Sequence, residues 1–308
     1  MPLARTPARA ALAKSVEHLP GRVSKLTIGL AVAFSQLWRL ATARWRVLPH
    51  FVIIGAQKAG TTSLYNYLVA HPDIVAAGRK EVHFFDVSYQ RGERFYRSMF
   101  PTRFTLRYCQ RRTGRRAITG EASPYYVFHP VVPSRMAKMV PDTKVIVLLR
   151  DPVDRAISHY KHEVRAGRET LSLRDALDSE TDRLHGEDER LRTTGDAGAS
   201  YAHQNFSYVA RGRYAEQLER WLAHYPRSQI LALRAEDLFT EPAATYRRVL
   251  EFLGVERMGE PEFEVYNQGS PGGGNELGAR EALAGRFTDA NRRLVALLGE
   301  EFQWSSGR

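Results

Sequence analysis

The stretch from Phe51 to Leu68 constrains what this chain can fold into more than any other. Phe51-Val52-Ile53-Ile54 is a short apolar run of β-type residues, and Gly55-Ala56-Gln57-Lys58-Ala59-Gly60-Thr61-Thr62 follows it at once as a glycine-bounded loop. Ser63 to Leu68 then has helical spacing and stops before His71-Pro72, since the residue preceding a proline resists the helical region. Strand, loop, helix in that order is the first unit of an open parallel α/β sheet. Lys144-Val145-Ile146-Val147-Leu148-Leu149 supplies a second strand, continuous in apolar residues as a strand buried on both faces should be. It runs into Arg150-Asp151-Pro152, where proline suits a first helical turn, and a helix is expected through about Glu163. Ile230-Leu231-Ala232-Leu233 gives a third strand, and helical patterns lie at about 208–224, 242–253 and 279–299. The expected fold class is therefore α/β, an open parallel sheet flanked by helices.

Composition bounds the rest. The chain has 308 residues, 43% hydrophobic and 26% charged, which is ordinary for a globular protein and excludes wholesale disorder. Cys109 stands alone, so no intrachain disulfide can form and a thiolate metal cluster is not expected. The formal charge of +11 is unevenly placed. Residues 1–50 hold eight basic groups against Glu17 alone, a net of +7. Arg103, Arg107, Arg111, Arg112, Arg115 and Arg116 add +6 with no acid between Pro101 and Gly120, which leaves −2 for everything else. A nearly neutral body does not suit a nucleic-acid-binding face. We divide the chain into a basic, partly apolar leader over 1–48 and a domain over 49–308 with a polar insertion at about 168–200. Nine acids lie between Glu169 and Asp196, and a mobile or substrate-side excursion is expected there. In the leader, Leu26 to Leu40 is apolar but interrupted by Gln36 and Arg39, shorter than the roughly 20 residues of a spanning helix. Three readings stand: peripheral membrane contact through residues 22–47, suited by flanking basic residues with Trp38 and Trp45, a signal-anchor, with Ala41-Thr42-Ala43 faintly like a cleavage site, or a helix packed on the body.

The first loop is P-loop-like, because a strand feeding a glycine-bounded loop and a helix N-terminus presents backbone N–H groups to an anion. A nucleotide P-loop places lysine directly after its second glycine. Here Thr61 follows Gly60, and the cation, Lys58, lies inside the loop with Thr61, Thr62 and Ser63 supplying hydroxyls. That chemistry is anion binding without an obligatory metal.

The run from Phe51 to Ser63 resembles the 5′-phosphosulfate-binding segment of sulfotransferases that use 3′-phosphoadenosine-5′-phosphosulfate (PAPS). Val145 to Ser158 is similar to their 3′-phosphate-binding segment, and Lys80-Glu81-Val82-His83-Phe84-Phe85-Asp86 resembles the active-site strip of the heparan sulfate glucosaminyl (N-/3-O-) branch. The resemblance implies the sulfotransferase fold and a donor site of Lys58, Ala59, Gly60, Thr61, Thr62, Ser63, Arg150 and Ser158, with PAPS as co-substrate and no metal. A planar guanidinium and a hydroxyl two helical turns on suit a terminal phosphate, although Arg150 could instead pair with Asp151 or Asp154.

Moving a sulfuryl group onto a hydroxyl needs a base to take the proton. The resemblance puts Glu81 in that role and Lys58 against the departing phosphate oxygen. His83 would share a face with Glu81 if the strip is extended, hydrogen-bonding the acceptor or orienting the base. Asp86 matches an acceptor-contacting aspartate, with a helix cap or turn residue as the alternative. Two departures stand out. Gly120-Glu121-Ala122-Ser123 carries Ala122 where the heparan-type enzymes tend to have lysine, which counts against heparan sulfate itself as acceptor. Gly269 to Asn275 holds no cation, so one that closes on the donor must come from elsewhere, such as Arg280. His159 and His162 read as helix-surface residues.

The expected function is sulfuryl transfer from PAPS to a hydroxyl or amine of a glycan, lipid or small molecule. The alternatives are a P-loop kinase or NTPase, or a non-enzymatic membrane-surface binding protein. The expected site of action is cytoplasmic, peripheral at the inner membrane face, or a Golgi type II arrangement in a eukaryote.

Overall fold

The computed structural model describes residues 33–194, 199–264 and 277–304. Most of the leader and the loop Gly269 to Asn275 lie outside them. Five strands, β1 (Phe51–Gly55), β2 (Ile74–Ala76), β3 (Ile118–Ala122), β4 (Lys144–Leu149) and β5 (Ile230–Arg234), form one parallel sheet in the order β2-β3-β1-β4-β5. The helices are α1 (residues 33–41), α2 (Thr61–Val69), α3 (Phe84–Val87), α4 (Gly92–Ser98), α5 (Arg103–Thr113), α6 (Val132–Met139), α7 (Pro152–Arg165), α8 (Leu173–Asp178), α9 (Glu180–Leu184), α10 (Glu187–Thr194), α11 (Tyr201–Asn205), α12 (Tyr214–Leu222), α13 (Ala235–Thr240), α14 (Pro242–Leu253) and α15 (Leu277–Leu298).

The three strands expected from sequence are β1, β4 and β5. Phe51 to Ile54 and Val145 to Leu149 are completely buried, as the apolar runs require. The two strands not singled out from sequence lie on the other side of β1. β2 has only three residues, and β3 is Ile-Thr-Gly-Glu-Ala, a run with little strand propensity. Tertiary fit decides β3: Phe51 sits opposite Gly120, where a Cβ would come within 2.5 Å of the Phe51 carbonyl oxygen. Because β1 has β3 on one side and β4 on the other, the chain reverses direction across the sheet beside β1. In such sheets ligands bind outside the carboxyl ends of the strands at that point.

Two expectations change. The insertion is not a loose excursion: it contains α8 to α10, and two of its acids are buried and paired. Glu169 meets Arg183 at 2.6 Å and accepts from the Tyr208 hydroxyl at 2.9 Å, while Glu180 accepts from the backbone N–H groups of Val209 and Ala210 at 2.6 and 2.8 Å. The helix expected over 208–224 is divided at Gly212, which packs so closely on Phe287 that a Cβ would lie 2.5 Å from its ring.

Candidate active site

The loop between β1 and α2 is held in a conformation few residues adopt. Lys58 and Gly60 have φ of 71° and 85°. Glycine is required at the second position, since the φ is left-handed and a Cβ would reach 2.9 Å from the Phe239 ring. Two arginines brace the loop from outside. Arg150 Nη1 donates to the Lys58 carbonyl at 3.2 Å, and buried Arg211 donates to the Gln57 side-chain carbonyl. The first turn of α2 starts beyond it with Thr61 and Ser63 buried and Thr62 half-buried. Burial, helped by the nearby Arg165, lowers the Lys58 ammonium to about 8, partly opposed by Glu163.

Residues Lys80 to Asp86 cross the carboxyl end of β3. The strip is not extended throughout: His83 has φ 51°, ψ 44° and precedes the single turn of α3. The expected meeting of Glu81 and His83 is nevertheless present through this bend, with His83 Nε2 3.4 Å from Glu81 Oε2. His83 Nδ1 lies 2.6 Å from Oδ2 of buried Asp86. Burial alone would lower the His83 imidazole, yet the Asp86 and Glu81 carboxylates raise it to about 10, so it is an imidazolium at neutral pH. Burial likewise raises the Glu81 carboxyl, but hydrogen bonding to His83 and the adjacent Lys80 ammonium outweigh it and hold it at about 2. Asp86 therefore acts on His83 while also occupying the first turn of α3.

Arg150 leaves β4 facing the same end of the sheet. Its Nη2 is 3.9 Å from Asp154, longer than a tight ion pair, and Asp154 is engaged by Arg280 at 2.5 Å. Arg280 is thus brought beside Arg150, where the sequence called for another cation. Ser158 is half-buried on α7, and its side chain has no hydrogen bond among the described residues. His159 is not on the surface as expected. It is fully buried with its ring 4.9 Å from Tyr208 and Nε2 3.5 Å from Glu163, and burial keeps it well below its ordinary value. α7 turns this side inward because Ala156, Ile157 and the histidine share the packed face.

Residues that sequence reasoning did not single out hold the site together. Lys80 Nζ donates to Thr62 Oγ1 at 2.6 Å and lies 2.7 Å from Glu81 Oε1. Glu121, fully buried, accepts from Val82 N at 3.2 Å, Ser123 Oγ at 2.7 Å and Tyr96 Oη at 2.8 Å. Tyr126 Oη accepts from Phe84 N and Phe85 N at 2.8 and 3.3 Å, satisfying the open N–H groups of α3. The usable signal for Lys80 was its adjacency to Glu81; its contact with Thr62 comes only from the fold.

Residues 48–265 match the family described as Sulfotransferase domain. The chain belongs to the sulfotransferase family. Relatives of this sulfotransferase include mouse heparan sulfate glucosamine 3-O-sulfotransferase 3B1, 34% identical over 83% of this chain and 65% of the mouse protein. Human heparan sulfate glucosamine 3-O-sulfotransferase 6 is 33% identical over 84% of this chain and 74% of its own length. The chain thus spans just under two thirds of the mouse relative. Among solved structures, a sulfotransferase from Alicyclobacillus acidocaldarius matches with a TM-score of 0.59 and 33% identity, over 82% of this chain and 96% of that one.

Proposed function

We propose that this chain transfers the sulfuryl group of PAPS to a hydroxyl of a carbohydrate, with Glu81 as general base. The carrying observation is that the anion loop and the carboxylate strip front one another: Thr62 and Glu81 share the Lys80 ammonium as partner at 2.6 and 2.7 Å. The donor set fits the nucleotide. Lys58, Gly60 and the α2 N-terminus present N–H groups and charge to its 5′ end. The Arg150 fork, the Ser158 hydroxyl and nearby Arg280 suit its 3′-phosphate. PAPS supplies an activated sulfuryl group when bound.

The chain's own residues do the rest. Glu81 is ionised over the working pH range and takes the acceptor proton. His83, fixed by Asp86, orients that carboxylate and remains positive beside the developing negative charge. Lys58 neutralises charge on the departing phosphate oxygen. The relatives named as glucosamine 3-O-sulfotransferases favour a sugar hydroxyl over a lipid or small-molecule acceptor, and Ala122 argues for a less sulfated sugar than heparan sulfate. The exposed aromatic side of α1, with Phe34, Leu37 and Trp38, supports peripheral membrane contact by residues 22–47.

A differential melt tests the donor reading. The 3′,5′-bisphosphate product nucleotide (PAP) should stabilise the chain more than ATP or 5′-AMP, and equal shifts would overturn it. Glu81→Gln should keep that stabilisation while transfer falls by about 10²–10⁴-fold, the usual worth of a general base.

A further inference from the structure

Three facts about Lys80 stand together. Its ammonium bridges Thr62 Oγ1 at 2.6 Å and Glu81 Oε1 at 2.7 Å, so two of its three N–H groups are engaged. Its backbone carbonyl accepts from Ala122 N at 3.0 Å, which places it against the residue where the heparan-type pattern would have lysine. Its side chain is 22% exposed, so it is not sealed into a structural ion pair.

We propose that Lys80 is a further catalytic residue, a sulfonate clamp that exchanges its contact with Glu81 for the oxygens of the bound sulfuryl group. The assignment rests on the donor reading above. By donating to Thr62 Oγ1, the ammonium leaves the threonine hydroxyl proton free to point at the same anion. Before the donor arrives, Lys80 neutralises Glu81; an incoming sulfonate competes for the ammonium and leaves the carboxylate open to the acceptor. Glu81 then takes the hydroxyl proton as the acceptor oxygen bonds to sulfur and the bond from sulfur to the bridging phosphate oxygen breaks. Lys58 meets the charge left on that oxygen, and Lys80 keeps its own protons throughout. A cation supplied next to the base, and not from β3, replaces what Ala122 lacks.

The sulfonate is the one part of PAPS that PAP does not have, so the two nucleotides separate Lys80 from the rest of the site. Isothermal titration, without acceptor, of the wild type, Lys80→Met and Lys80→Arg against both ligands reads the difference. Lys80→Met should bind PAP within about twofold of wild type but lose about tenfold or more for PAPS, as expected when a charge-assisted hydrogen bond is removed. Lys80→Arg should recover part of that loss. Retained PAP binding reports an intact fold. Equal changes for both ligands, or none for PAPS, would overturn the clamp while leaving the donor reading in place. A wild-type chain that binds neither ligand overturns both.

Discussion

Lys58 is the residue whose chemistry and conformation are most closely tied. A left-handed φ in a non-glycine residue costs of order 1–3 kcal/mol and persists where surroundings over-determine it. The Arg150 contact to its carbonyl and the bracing of Gln57 by Arg211 do so here. Partial burial, with Arg165 nearby, sets the ammonium at about 8, so the group is charged below that pH and loses its proton above it. Affinity for PAP should therefore fall by up to about tenfold per pH unit above pH 8, since only the protonated form attracts the phosphate. Lys58→Arg should flatten that limb, because a guanidinium stays charged. Titration between pH 7 and pH 9.5, roughly spanning this group's range, decides it: a wild-type affinity that does not change with pH would refute the assignment. Lys58 and Arg150 were legible because each lies within three residues after a recognisable apolar strand. Lys80 was not, since its partner Thr62 lies in a different element.

Among elements, β3 and the strip it supports show what sequence pattern hides. β3 looks like no strand, with glycine, glutamate and alanine in five positions. Its glutamate is buried because it organises the next layer. Val82, Ser123 and Tyr96 all donate to Glu121, and its burial pushes the carboxyl up to about 7 despite those donors. The cost of burying it is offset in part by those hydrogen bonds, and the one from Val82 N ties the Glu81 strip to β3. Glu121→Gln turns one acceptor oxygen into an NH₂ group facing existing donors. The expected destabilisation is about 1–3 kcal/mol, with turnover falling because the strip loosens. Thermal melting together with PAP titration checks this: weaker folding with unchanged PAP affinity places the damage in the strip, and an unaltered melt would contradict it. Apolar strands β1, β4 and β5 could be read directly from composition. β2 could not, being only three residues long, nor could β3, which shape fit against Phe51 and a buried polar network selected over propensity.

At the scale of the molecule, the arginine run on α5 forms a surface ridge away from the chemistry. Arg46 pairs with Thr102 across an isolated bridge and donates to the Phe100 carbonyl at 2.6 Å, tying the end of the leader to the start of α5. On α5 only Leu106 is buried, and the outward side carries Phe104, Arg107, Tyr108 and Arg111, all exposed. Arg115, by contrast, leaves the solvated run to pair with buried Asp73 at 2.6 Å, one residue before β2 begins. That anchors the end of α5 at the amino ends of the strands, opposite the end that carries Glu81 and Lys58. Aromatic and arginine side chains together suit the interface of an anionic bilayer. No helix among the described residues is long and apolar enough to cross one. Docking through α1 and α5 would leave the carboxyl ends of the strands open to an acceptor. The full chain should therefore float with vesicles containing phosphatidylserine but not with pure phosphatidylcholine. Replacing Arg103, Arg107, Arg111 and Arg112 by Gln should abolish flotation, at about 1 kcal/mol per lost arginine, while PAP affinity stays unchanged. If the variant floats as before, the arginines do not meet lipid. If instead its KM for a carbohydrate acceptor rises, the ridge belongs to acceptor binding, and the surface reading fails.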